Sequence, residues 1–349
     1  MQKNLLLVFA LLLTAASATA ALEKDAQGNY YIGTVQDWKD FAALINNATE
    51  PEASARMIAD IDLGTDQAVI GHYHFDDEKG DIIRAFKGTF DGQGHTLTVH
   101  LDSTDWNVGL APFMYVDSGA VIMNLHVDGS VTNGGCSAAG IACRMMGDFT
   151  VSRCWSSVRL QSYDMGSVQG TIGGFLSWTN AANSEIIIED CIFTGEIVNI
   201  HCCAGFMSHN ENFSTTVKMK RGLQLGTHAS EGFECGTFIR PQYGDYDLEE
   251  STLFYGHVYE VAQGTKATEA ALKDGTINAV LQAGRIETVW EQGTDRPELH
   301  IFNAPKGKDE QTGMKTVENT SSAVKVIRNG KVYILRGEKT YSIDGVELK

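Results

Sequence analysis

Val108-Gly109-Leu110-Ala111-Pro112-Phe113, Ala139-Gly140-Ile141-Ala142-Cys143, Gly173-Gly174-Phe175-Leu176-Ser177, Ala204-Gly205-Phe206-Met207-Ser208 and Cys235-Gly236-Thr237-Phe238-Ile239 are five copies of one phrase, a glycine followed by an apolar run. The marked glycines, Gly109, Gly140, Gly174, Gly205 and Gly236, are spaced 31, 34, 31 and 31 residues apart. A fixed period of that size signals a solenoid, a propeller or an array. A second phrase recurs between them: Ile122-Met123-Asn124-Leu125-His126-Val127-Asp128-Gly129, Val151-Ser152-Arg153-Cys154-Trp155-Ser156 and Ile188-Glu189-Asp190-Cys191-Ile192-Phe193-Thr194-Gly195. Each is a short, partly alternating run rich in β-formers and bounded by turn residues. Each repeat therefore holds two or three strands and no helix, which excludes leucine-rich, TPR and ankyrin repeats. A propeller blade needs four strands in about 40–45 residues. The expected fold is all-β: a right-handed parallel β-helix.

Stacking the rungs aligns the second phrase. Leu125, Cys154 and Cys191 share one inward column, and Val127, Ser156 and Phe193 the next. Side chains alternate along a strand, so His126, Trp155 and Ile192 point outward, as do Asn124, Arg153 and Asp190. Ser130, Arg159 and Glu196 extend the same face. Trp155, with Arg153 and Arg159 beside it, is placed to stack on a sugar or grip a carboxylate. His126 and Asp190 complete the expected ligand-binding set. On this reading Trp155→Ala leaves stability nearly unchanged. The other reading packs Trp155 beneath a loop such as Tyr163 to Gln169. Trp178 is expected in the loop that runs to Ser184.

The block resembles the GLUG-type repeats of secreted and cell-surface proteins of Bacteroidetes-like bacteria. The opening phrase Phe86-Lys87-Gly88-Thr89-Phe90-Asp91-Gly92-Gln93-Gly94-His95-Thr96-Leu97 is similar to their first coil. Asp60-Ile61-Asp62-Leu63 before it resembles their flanks, as do Val289-Trp290-Glu291-Gln292 and Asp295-Arg296-Pro297-Glu298-Leu299 after it. The resemblance covers roughly residues 28 to 303. It implies a surface β-helix, often assigned to adhesion, and no catalytic residue.

The 349 residues carry a net charge of −17, with 36 glycines and five prolines. Acidity argues against nucleic acid, which demands a basic footprint, and against anionic lipid. Residues 1–20 read as a signal peptide: Lys3, the apolar run Leu5 to Leu13, and Ala18-Thr19-Ala20 as cleavage site. No later stretch is apolar enough to span a membrane. The expected address is secreted or outer cell surface. Residues 21–55 hold a helix capped by Asp37, with Trp38, Phe41, Ala42, Leu44 and Ile45 on one face. It reads as the cap that an open solenoid end requires. The coil runs over 56–250, starting with a strand from Met57 to Leu63. A second cap, partly helical around Ala270 to Leu281, fills 251–304. A linker spans 305–323. Residues 324–349 form a hairpin around Asn329-Gly330 and resemble a short C-terminal sorting tail.

Three clusters invite chemistry. Asp60 with Asp62 is expected to cap a strand and its turn. His72, His74, Asp76, Asp77 and Glu78 form a polar loop with no third metal ligand placed by spacing. The seven cysteines, all within the coil block, read mostly as buried fillers, and Cys154 and Cys191 fall within disulfide reach. No cofactor or metal is expected. The expected function is non-catalytic, adhesin-like or glycan-binding, with a host or microbial glycan or surface protein as partner. The alternatives are a polysaccharide lyase or glycoside hydrolase, which would need a carboxylate pair about 5–9 Å apart, and a purely structural component of a surface assembly.

Overall fold

The computed structural model describes residues 22–104, 109–134, 137–162, 170–198, 202–228, 235–240, 244–306, 323–328, 331–336, 339–342 and 347–348. The leader at 1–20, Cys136, His201, the loop 163–169, residues 307–322 of the linker and the Asn329-Gly330 turn lie outside them. Residues up to 306 form one unit and those from 307 another.

The first unit is a β-solenoid of about six turns, built from parallel strands in register. One inward column runs Tyr30, Ala55, Phe90, Ile122, Val151, Ile188, Met219, Leu248. A second runs Leu97, Val127, Ser156, Phe193, Gln224. Phe175, Phe206 and Phe238 stack face to face inside, with centroids 4.7 and 5.4 Å apart. The marked glycines recur because the turns touch there. A Cβ on Gly174 would lie 1.9 Å from the Gly205 carbonyl oxygen, and one on Gly140 2.3 Å from that of Gly174. No side chain fits between them.

Helix α1 (Val35–Asn46) buries Trp38, Phe41, Ala42 and Ile45. Trp38 meets Phe90 and Phe113 edge-on, each at 5.7 Å. The cap is Thr34, not Asp37: Thr34 Oγ1 accepts the Asp37 N–H at 3.1 Å, and Asp37 Oδ2 accepts the Gly33 N–H. A carboxylate three residues into the helix thus completes the cap instead of starting it.

Several local expectations change. The stretch Met57 to Leu63 is two strands, Ala55–Met57 and Ile61–Asp62, because the chain turns a corner between them. Asp62 Oδ1 caps the following turn at the Gly64 N–H. The His72 to Glu78 stretch is no loop: His72–Asp76 pairs antiparallel with Gly80–Arg84 as a side hairpin. Trp178 lies in the strand Leu176–Thr179, under the Arg144 guanidinium at 4.1 Å. Cys154 and Cys191 are free, buried thiols. The disulfide joins Cys203 to Cys235. The second helical stretch keeps its expected interruption at Asp274-Gly275, which divides it into α2 (Glu269–Lys273) and α3 (Thr276–Gln282), with Gly275 at φ +87°.

In the second unit, Ala323–Arg328, Lys331–Arg336, Lys339–Ser342 and Glu347–Leu348 form an antiparallel sheet. No described helix is long and apolar enough to cross a membrane.

Candidate functional site

The aligned outward columns exist in the expected register. His126 pairs with Trp155, Trp155 with Ile192, Ser130 with Arg159, and Arg159 with Glu196. The middle of that face is covered, however. Ile192, Leu223 and Phe254 form an apolar cluster with Ile277, Leu281 and Trp290 from the C-terminal segment. Beyond α3 the chain runs back along the flank. Trp290 Nε1 donates to Asp190 Oδ1 at 2.7 Å. Phe302 meets both Trp155 and His126 edge-on at 6.1 Å. Lys306 Nζ reaches Asp60 Oδ1 at 2.7 Å, at the first turns.

Trp155 is accordingly engaged by several neighbours. His126 stacks on it at 4.0 Å and 12°. The Arg296 guanidinium lies 5.1 Å from the ring centroid, and the indole N–H donates to Thr194 Oγ1 at 2.7 Å. His126 sits in a polar chain: Nδ1 lies 3.1 Å from Thr96 Oγ1, Nε2 2.8 Å from Ser157 Oγ, and Ser157 donates to Asp128 at 2.6 Å. A neutral ring with its proton on Nε2 satisfies all three bonds. Burial holds the imidazole down to about 4. The carboxylate thus faces the serine and not the histidine, the reverse of a nucleophilic triad.

Asn124, Arg153 and Asp190 form a corner column, which Gln93 and Arg221 extend. All five have left-handed backbones, φ +50 to +55°. Side chains tie the column together: Asn124 Nδ2 donates to Asp91 Oδ1, and Arg153 Nε to Asn124 Oδ1, both at 2.8 Å. Left-handed non-glycine residues persist only where surroundings over-determine them, so this corner is rigid. Asp190, expected on an open face, is only 2% exposed. Its second oxygen takes Arg285 Nη2 at 2.5 Å. Burial raises its carboxyl, while Trp290 and Arg285 oppose that shift.

Beside the corner lies an open cleft of about 700 Å³, lined among others by Arg153, Glu189, Asp190, Arg221, Arg285 and Ile286. Glu189 anchors it, accepting Arg221 at 3.1 Å, Arg285 at 3.2 Å and Lys220 at 3.3 Å. Glu189 also lines a neighbouring groove of about 580 Å³ that holds Lys218, Lys220, Glu185 and Asp247. Of the five expected residues, Arg153 and Asp190 reach the cleft. Trp155 and His126 stack under the C-terminal segment. Arg159 stands apart, exposed and paired with Glu196 at 3.0 Å. Arg221 follows Asp190 by one 31-residue repeat, so extending the alignment by a turn finds it. Arg285 and Trp290 carry no repeat signal.

No protein-family model and no curated protein matches the chain. Among solved structures it is similar to a Bacteroides ovatus protein described as a "putative immunoglobulin A1 protease", with TM-score 0.50 and 10% identity over 80% of this chain and 94% of that one. At such low identity the likeness shows the solenoid fold alone.

Proposed function

We propose that this chain is a secreted or cell-surface, adhesin-like protein that binds a glycan in the cleft between the corner column and Arg285. The cleft supports this most directly. Its donors and acceptors are mixed, and mutual pairing fixes them before any ligand arrives, so little side-chain freedom is lost on binding. A few convergent polar groups beside an apolar contact, here the fully exposed Ile286, suit a polyhydroxylated ligand. The resemblance to GLUG-type surface proteins supports the same address. On this reading α1 closes one end of the stack and the final sheet acts as a sorting tail.

Binding is favoured over cleavage. Two-carboxylate hydrolysis needs a pair, and of the three carboxylates that line the cleft, Asp190, Glu189 and Glu287, Asp190 has both oxygens engaged and Glu189 holds three cations. Burial pushes the Cys154 thiol up to about 12 and Cys191 well above its ordinary value, where neither is a nucleophile at neutral pH.

A glycan array on the full chain, beside Arg153→Ala and Ile286→Ser, tests the proposal. The expected result is selective binding that weakens roughly tenfold or more in each variant, the scale of a lost charged or apolar contact. Binding unchanged in both variants would place the ligand elsewhere. Shortened glycans in the supernatant would instead indicate a lyase or hydrolase.

A further inference from the structure

The last turns of the solenoid break two inward columns at the same level. One column runs Leu101, Val131, Leu160, Ile197 and then His228. The other runs Leu110, Ala138, Ile172 and then Cys203, with Cys235 bonded to it from the next turn. Four aliphatic residues give way to an imidazole where three give way to sulfur. A disulfide alone needs no histidine beside it, and an aliphatic side chain fills the His228 position in every preceding turn. Burying an imidazole there costs desolvation that only polar or metal contacts repay.

The structure assigns Cys203, Cys235 and His228 as a metal site for a thiophilic divalent cation such as Zn²⁺, open when the disulfide is reduced. The two sulfurs and an imidazole nitrogen all lie within 4.8 Å of one another. Thiolates on one tetrahedral zinc ion stand roughly 3.8 Å apart, given Zn–S bonds of about 2.3 Å. The solenoid supplies that spacing, since the two Cα atoms are 4.7 Å apart on adjacent turns. All three residues are buried. Two thiolates and one imidazole are a soft donor set that selects zinc or copper(I) over calcium or magnesium. Among the described residues these three form the ligand set. The disulfide and the ion are alternative closures of the same turns. A dithiol or phosphine gives two electrons, two protons complete the thiols as the S–S bond breaks, and the reductant leaves oxidised. Metal binding then displaces both thiol protons.

The test uses the full chain reduced with a phosphine and titrated with Co²⁺, then Zn²⁺. The expected result is one cobalt ion per chain with a thiolate-to-cobalt charge-transfer band, displaced by zinc and absent from the oxidised chain. His228→Leu restores the residue type of its column. It should keep the Cys203–Cys235 bridge by peptide mapping yet lose affinity for Zn²⁺ by on the order of a hundredfold. Cys203→Ala, which repeats Ala138 of its own column, should lose the band as well. A reduced chain without the band, or a His228→Leu or Cys203→Ala chain that binds as tightly as the parent, would overturn the assignment and move any bound metal to the other thiols.

Discussion

The molecule buries apolar side chains in two ways that obey different rules. Inside the solenoid each position repeats the one below it, and Phe175, Phe206 and Phe238 share one stack. On the flank the partners are singular: Trp290 lands on Asp190, Phe302 on Trp155 and His126, Lys306 on Asp60. The first kind of burial is set by a period and tolerates drift between neighbours. The second joins residues far apart in the chain, and each pairing occurs once. An outward column on a solenoid is therefore not, by that position alone, a solvent face.

The largest expected effect falls on the stack. Phe206 is fully buried between two rings, so Phe206→Ala should cost about 3–5 kcal/mol, the range for emptying an aromatic core site. Urea denaturation followed by far-UV dichroism measures it. A loss below about 1 kcal/mol would mean that neighbouring turns collapse into the space and that the column is not a rigid stack.

On the flank the expected loss is smaller. Trp155 is half-buried, yet His126 stacks on its ring, the Arg296 guanidinium lies over it and its indole N–H is bonded. Trp155→Ala should cost about 2–3 kcal/mol, below a fully buried aromatic. This replaces the expectation of near-unchanged stability that its outward position gave. A shift in the urea midpoint within error would show the C-terminal segment unseated and restore the open face.

The difference between the two regions explains what could be read from the sequence. The glycine spacing pointed to the solenoid because a carbonyl oxygen of the next turn presses on Gly140 and on Gly174, where no other residue fits. The columns through Val127, Ser156 and Phe193 followed from strand alternation, and the corner residues from the same alignment. Their left-handed backbone did not, since asparagine and aspartate favour that region but arginine and glutamine, which share the column, do not. That Trp155 packs beneath other chain was one of the two readings, but the segment that covers it and Ile192 was hidden, because that segment carries no period of its own. The disulfide was misplaced for a related reason. Stacking brings many pairs of side chains to one rung spacing, so a shared column does not single out the pair that bonds. Cys154 and Cys191 remain separate thiols, while Cys203 and Cys235 bond.

The subtlest expected difference between core and flank is in acid. The aliphatic columns do not titrate, whereas His126 does, and burial lowers its pKa from the ordinary 6.5 to about 4. Asp128 and Asp60 raise it, while Arg296 and Lys306 from the covering segment lower it. The unfolded chain therefore binds a proton that the folded chain refuses. Stability from this group is complete above about pH 6.5, falls as the pH drops toward 4, and changes no further below that. The loss is at most about 3 kcal/mol at 1.36 kcal/mol per pH unit. Asp60, held down to about 2 by its bonds to Lys306, Thr96 and His95 against the cost of burial, loses its share only below its ordinary 3.8. Burial also lowers His72 and His209, so the decisive quantity is a difference: urea midpoints of the parent and His126→Gln from pH 7.5 to 4. The parent should lose more stability across that window than the variant, with the C-terminal segment released first by tryptophan emission. Parallel curves would mean that the imidazole is solvated, and the stack on Trp155 would then be open to ligand after all.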